Sequence, residues 1–145
     1  MTVDDAVASI LQFRNGALGT MEATRMAPGR KNANRVEING SLGSLAFNIE
    51  RMNELEVYFS DDAEDVRGFR TINVNESVHP FGGKWWPSGH IIGYEHTFTH
   101  TVYDLLECIA DGALPTPNFE DGVRTQQVLD AIERAAAERR WIDLD

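Results

Sequence analysis

The chain has 145 residues, 42% hydrophobic and 25% charged, with a formal net charge of -10 from 23 acidic and 13 basic side chains. That length fits a single domain, residues 1–145, able to bury about two thirds of its unfolded surface, and the composition argues against disordered and membrane-embedded classes. An acidic balance also argues against nucleic acid as a partner, because recruiting phosphates needs a basic face. No apolar run approaches the roughly 18 residues that span a bilayer. The opening "MTVDDAVASI" lacks the basic and then apolar pattern of a secretory signal, so a cytoplasmic location without membrane attachment is expected. Cys108 is the only cysteine, which excludes an internal disulfide; in "LLECIA" it reads as a buried, inert thiol.

In chain order, "AVASILQF" and "LGTMEATRM" read as two strands joined at Asn15-Gly16, a dipeptide that accepts positive φ in a hairpin turn. "NRVEINGSLGSLAFNI" repeats the plan, with Val36 and Ile38 alternating against polar neighbours, a turn from Gly40 to Gly43, and Leu45, Phe47 and Ile49 alternating afterwards. "ELEVYF" and "GFRTINV" add two more strands across the acidic turn "SDDAEDVR". The glycines and prolines of "HPFGGKWWPSG" exclude a regular element there. From about Gly93 the period changes: Phe98, Val102, Leu105, Leu106 and Ile109 share one side of a helix that Gly112 ends. A second helix begins after Asn118, with Asp121 positioned for a capping box. Its expected buried stripe is Thr125, Val128, Leu129, Ile132, Ala135 and Ala136. "WIDL" reads as a short last strand. The sum is an α+β domain: an open, largely antiparallel sheet with two main helices packed on one face, and no Rossmann domain. An unsolvated second sheet face would meet another chain or domain, with Ile10, Leu18 and Met21 near that contact.

The densest chemistry lies in "KWWPSGHIIGYEHTFTH", residues 84–100. Lys84, Trp85, Trp86 and His90 combine flat apolar faces with donors, and Tyr94 adds a hydroxyl. Such sets suit polyhydroxylated ligands, because an indole covers the C–H face of a sugar while neighbours pair its hydroxyls. The bland account is that one tryptophan plugs the core and the other shields the loop. His96 and His100 stand four apart, the spacing by which a helix presents two metal ligands, although no HExxH pattern accompanies them. Their phase puts them, with Tyr103 and Glu107, opposite the apolar stripe, on a face either solvated or packed against something outside the chain. The helix N-terminus offers N–H groups to an anion, with Glu95 competing for that field. Arg25, Arg30, Lys31 and Arg35 gather positive charge against the global trend; this is either a solvated turn or a site for a phosphate or carboxylate. Neither G-x-S-x-G, G-x-G-x-x-G nor a P-loop occurs.

Taken in order, "FRNGALGTMEATR", "EINGSLGSLAFNIERMNELEVY", "WWPSGHIIGYEHTF" and "FEDGVRTQQVLDAIERAAAERRW" resemble the carboxy-terminal domain of the glucose-fructose oxidoreductase, inositol dehydrogenase and rhizopine-catabolism (Gfo/Idh/MocA) family. The resemblance covers nearly the whole chain. It implies an NAD(P)-dependent parent enzyme acting on CH–OH groups, with an amino-terminal Rossmann domain for NAD or NADP and this α+β domain for a sugar or cyclitol. It also implies a homo-oligomer formed through the sheet. The family's catalytic lysine belongs to a Glu-Lys-Pro motif and its Asp-x-x-x-His pair lies upstream of the first strand; neither occurs here, so no catalytic and no cofactor-binding residue carries over. Met1 is therefore expected to open a fragment or a truncated gene product, and the chain is expected to be inactive alone. Trp86, His90 and Tyr94 are the expected sugar contacts, with Arg25 and Lys31 as further candidates. Two other classes remain: a stand-alone module interacting through its sheet, and a metal-dependent enzyme built on His96 and His100.

Overall fold

The computed structural model describes residues 3–144. Six strands and two long helices follow one another as β1 (Ala6–Gln12), β2 (Leu18–Thr24), β3 (Arg35–Asn39), β4 (Gly43–Asn48), β5 (Glu54–Phe59), β6 (Arg70–Asn73), α1 (Tyr94–Asp111) and α2 (Phe119–Glu138). The α+β class and the antiparallel pairing are as the periodicity predicts. The strands divide into a two-stranded sheet, β1-β2, and a four-stranded sheet, β3-β4-β5-β6. Residues Met1–Gly29 with Leu105–Asp145 form one compact unit, and Arg30–Asp104 a second.

In the first unit, the β1-β2 hairpin closes through a longer loop than the Asn15-Gly16 dipeptide predicts. Phe13 donates its N–H to the Ala17 carbonyl and accepts from the Gly16 N–H, both at 2.9 Å. Arg14, Asn15 and Gly16 are thus the loop, and only Gly16, at φ 87°, takes the left-handed geometry. This is the three-residue hairpin in which a turn is followed by a left-handed residue, a place for glycine because it has no Cβ to clash. Alternation puts Val7, Ser9 and Leu11 on the half-buried face, opposite Ala23, Met21 and Gly19. Ile10 and Leu18 point the other way and stay exposed. Met21 thus parts from the Ile10 and Leu18 face, because the strand period is two.

α2 starts as predicted. The Asn118 side chain accepts from the Glu120 N–H while Asp121 accepts from the Asn118 N–H, completing the capping box. Its covered stripe runs through Asp121, Val128, Ala131, Ile132 and Ala135, whereas Thr125, Leu129 and Ala136 are exposed. The covered stripe is displaced around the helix from the predicted one, taking in Ala131 and leaving out Thr125, Leu129 and Ala136. Residues 141–144 form no strand; the β propensity of "WIDL" finds no neighbouring strand to pair with, and propensity alone does not make a ladder.

In the second unit, the register places Val36, Ile38, Leu45, Phe47, Leu55, Val57 and Ile72 on one face of the four-stranded sheet. The opposite face carries Glu37, Glu56 and Thr71 around the small buried Ala46. The apolar face is graded across the sheet: Val57 is 8% exposed, while Val36 and Ile38 on β3 are 46% and 58% exposed. Among the described residues only Ala46, Val57 and Ala131 are buried. A single sheet layer buries an apolar face only where a second layer covers it, and among the described residues of this unit Val36 and Ile38 on β3 lack that cover.

α1 ends at Gly112 with a Schellman arrangement. The Gly112 N–H reaches the Ile109 carbonyl at 3.4 Å and the Ala113 N–H the Cys108 carbonyl at 2.9 Å, with Gly112 at φ 66°. Its faces are reversed relative to the helical-phase expectation. Phe98, Val102, Leu105, Leu106 and Ile109 are all exposed, whereas His96 and His100 are part-covered by this chain's own loop. No helix among the described residues is long and apolar enough to cross a membrane.

Candidate functional site

The segment from Val74 to Ile92 is irregular but closely tied. Successive turns are closed by the His79 N–H to the Glu76 carbonyl at 3.0 Å, the Gly82 N–H to the His79 carbonyl at 2.9 Å and the Lys84 N–H to the Phe81 carbonyl at 3.2 Å. Side chains add to this: His79 Nδ1 accepts from the Glu76 N–H at 3.0 Å, and Ser88 Oγ donates to the Glu76 carboxylate at 2.8 Å. Gly82 is packed so closely that an added Cβ would lie 1.9 Å from the Glu76 carbonyl oxygen. Phe81 sits at φ 58°, a left-handed conformation that costs a residue with a side chain about 1–2 kcal/mol.

Two anchors hold this segment. Asn53, at the entry to β5, donates Nδ2 to the Ile92 carbonyl at 2.9 Å and accepts from the Ile92 N–H at 3.0 Å. The primary amide satisfies both polar groups of one residue, which fixes the chain just before α1. The second anchor is aromatic. Phe81 stacks on His100 with ring centres 3.9 Å apart and planes 5° from parallel, and meets the edge of Tyr103 at 5.8 Å. Trp85 presents an edge-on contact to His96 at 4.5 Å and donates its indole N–H to His100 Nε2 at 2.7 Å.

The two histidines four apart are therefore used on an indole. His96, with a side chain only 12% exposed, accepts the Gly93 N–H on Nδ1 at 3.1 Å, so both histidines already commit a ring lone pair to the protein. Among the described residues no group of three or more histidine, cysteine or carboxylate side chains is disposed to hold a metal ion. The expectation of a solvated or externally packed face fails at His96 and His100, because the preceding loop folds back with two aromatic rings, which helical phase does not register, while Tyr103 and Glu107 are exposed as a solvated face would have them. At the start of α1 the Glu95 carboxylate lies 3.4 Å from His96 Nδ1, keeping a negative charge of the chain's own at that terminus.

Asn53, Val74, Asn75, Phe81, Trp86 and His90 are among the residues lining a small cavity of about 30 Å³, room for about one or two waters. Trp86, half exposed, and His90, whose Nδ1 lies 3.0 Å from the Pro87 carbonyl, come together at this cavity. A sugar ring does not fit inside it, so these side chains offer a wall and not a pocket. Tyr94 is 57% exposed and packs edge-on against Phe98; it is not on that lining. Lys31 is also apart from it, its N–H donating to Glu50 Oε1 at 3.1 Å. Arg25 belongs to the other compact unit, where its N–H reaches the Asp5 carbonyl at 2.7 Å. Glu50 accepts the N–H groups of Asn32 and Lys31, and those two bonds hold its carboxyl below the ordinary value of 4.5. Asn53 and Phe81 escaped the sequence reading. The Gly82-Gly83 pair after Phe81 was the available hint of a tight loop, and nothing local marks Asn53, whose partner is 39 residues away.

The two antiparallel sheets and two long helices define an α+β domain class, and comparison with known proteins identifies it. Residues 1–144 match the model of the oxidoreductase family C-terminal alpha/beta domain, the Gfo/Idh/MocA type. The chain belongs to that family. It is 43% identical over 143 residues to levoglucosan dehydrogenase of Pseudarthrobacter phenanthrenivorans, covering 98% of this chain and 36% of the relative. An oxidoreductase domain protein from Kribbella flavida superposes with a TM-score of 0.96 at 52% identity, over 99% of this chain and 38% of that one. Levoglucosan dehydrogenase in complex with NADH and levoglucosan gives 0.93 at 42% identity, over 99% and 39%; its complex with NADH and L-sorbose gives 0.94 at the same identity and coverage. The chain thus spans little more than a third of the relatives it matches.

Proposed function

We propose that this chain is the substrate-binding and oligomerising domain of an NAD-dependent dehydrogenase acting on a sugar or anhydrosugar, and that it supplies one wall of the substrate site. The observation that carries the proposal is the half-exposed Trp86 with His90 beside it, on a loop anchored at both ends. An indole face covers sugar C–H groups, and an imidazole N–H or lone pair meets a hydroxyl. Levoglucosan dehydrogenase, which aligns with nearly all of this chain, has solved structures in complex with NADH and levoglucosan and with NADH and L-sorbose. The nicotinamide is the hydride carrier and belongs to a separate nucleotide-binding domain. This chain's part is to orient the sugar and exclude water at one side of it. Tyr94, Arg25 and Lys31 are weaker candidates for sugar contact, since none of them lines the Trp86 and His90 wall.

The uncovered β3 side of the four-stranded sheet, with Val36 and Ile38 outward, is the surface proposed for oligomer contact. The test is steady-state kinetics of the full-length protein with NAD, NADP, levoglucosan, L-sorbose and a panel of cyclitols. Nicotinamide reduction with a sugar is expected. Replacing Trp86 by alanine should raise the sugar KM about tenfold, the scale of one lost ring contact with its covered area. If no sugar or cyclitol supports reduction, or if Trp86→Ala leaves the sugar KM unchanged, the proposal is wrong. For the oligomer, Ile38→Glu should reduce the mass seen by light scattering.

A further inference from the structure

We infer that His100 is a positioning residue for the sugar-facing wall, acting through Trp85; this rests on the function proposed above. A ring nitrogen that accepts a hydrogen bond carries no proton, so in the neutral imidazole the proton sits on Nδ1 and Nε2 is left to receive the Trp85 indole N–H at 2.7 Å. The same ring is the platform on which Phe81 stacks at 3.9 Å. One side chain on the first turns of α1 thereby grips two points of the loop, on either side of Gly82 and Gly83. Trp86 is the next residue after the gripped indole. Its backbone cannot shift without moving Trp85, whose ring also meets the His96 ring edge-on at 4.5 Å.

Phe81 and the loop chemistry support this role. A bulky residue held at φ 58° needs surroundings that over-determine it, and the parallel imidazole is the closest ring to it. A merely structural histidine in a helix would need neither an acceptor nitrogen aimed at the loop nor a flat face parallel to a loop ring. His100 does both, while no atom of it lines the cavity beside Trp86 and His90. It acts on the sugar only through other residues.

The experiment uses the full-length enzyme with His100→Ala, His100→Gln, Trp85→Phe, the double variant His100→Ala/Trp85→Phe, and Trp86→Ala. The readouts are sugar KM, NAD KM and kcat, together with the indole N–H resonances by NMR. His100→Ala and Trp85→Phe should each raise the sugar KM about fivefold, the scale of one hydrogen bond with its ring contact, with NAD KM and kcat changed less than about twofold, the pattern of lost uniform binding. The double variant should be no worse than His100→Ala alone, because the indole bond that Trp85→Phe removes is already broken there. His100→Gln should recover most of the affinity, since its amide oxygen still accepts. Should His100→Ala fail to fold, Trp85→Phe keeps the ring and decides the matter. An unchanged sugar KM in Trp85→Phe and His100→Ala, with Trp86→Ala still impaired, overturns this inference and leaves the proposed function standing. Unchanged KM in all three removes both.

Discussion

Two loops of the chain were candidates for contact with a ligand, and they are held in opposite ways. The aromatic loop from Val74 to Ile92 is tied by a ladder of turn bonds, by the Asn53 amide and by the rings on His100. The basic stretch from Arg25 to Arg35 is held mainly by one carboxylate, Glu50, and by short local bonds such as Met26 N–H to Thr24 Oγ1 at 2.9 Å. The contrast is clearest at the glycines. A Cβ on Gly82 would meet a carbonyl oxygen at 1.9 Å, while one on Gly29 would meet nothing within 4 Å. Polar and aromatic composition therefore marked both stretches, but only one is preorganised, and a preorganised wall loses less entropy when a ligand binds.

Breaking the tight loop should have the largest effect. Gly82→Ala cannot be accommodated without moving backbone, and denaturant unfolding of the full-length protein is expected to show a loss of about 3 kcal/mol, the upper end of the usual cost of forced backbone shifts. Asn53→Ala removes two hydrogen bonds from a part-buried backbone and should cost about 2 kcal/mol by the same measurement. A loss below that of Gly29→Ala would mean that the clamp on Ile92 does not hold the loop.

Smaller effects are expected from the basic stretch. Glu50 has its carboxyl held below the ordinary value by the Asn32 and Lys31 N–H groups. Its contribution is accordingly complete above pH 4.5 and lost as the pH falls through the lower folded value. Glu50→Gln keeps an acceptor and removes the charge, so the melting temperature should drop slightly at neutral pH and lose part of its acid-side slope. A slope identical to the parent's would show that the Glu50 contact does not persist in solution. Gly29→Ala should stay within about 0.5 kcal/mol of the parent, the smallest effect of the series; a loss as large as that of Gly82→Ala would erase the distinction between the loops.

Much of the fold was legible because it depends on local pattern. Alternation at Val36 and Ile38, the change of period after Gly93 and the Asn118 capping box need only neighbours in sequence. The failures share a different cause. "WIDL" has strand propensity but no partner strand. The α1 stripe was expected to face inward because apolar residues usually do. What covers a helix face is decided by the segments that reach it, and here Phe81 and Trp85 reach the histidines. The site followed the same division: Trp86 and His90 stood out by residue type, while Asn53 and Phe81 matter through contacts 39 and 19 residues away along the chain.

By itself the sequence determined the class of the domain, the order of its six strands and two long helices, the Asn118 cap and the Gly112 stop, and the region where aromatic and titratable side chains are gathered, because these follow from short-range sterics, hydrogen bonding and hydrophobic period. Only the tertiary structure decided that His96 and His100 meet the Trp85 indole, that Trp86 and His90 come together at a cavity too small for a sugar, and that the apolar residues of β3 and α1 stay exposed. Those outcomes depend on which distant segments meet, and a linear pattern carries no distance between them.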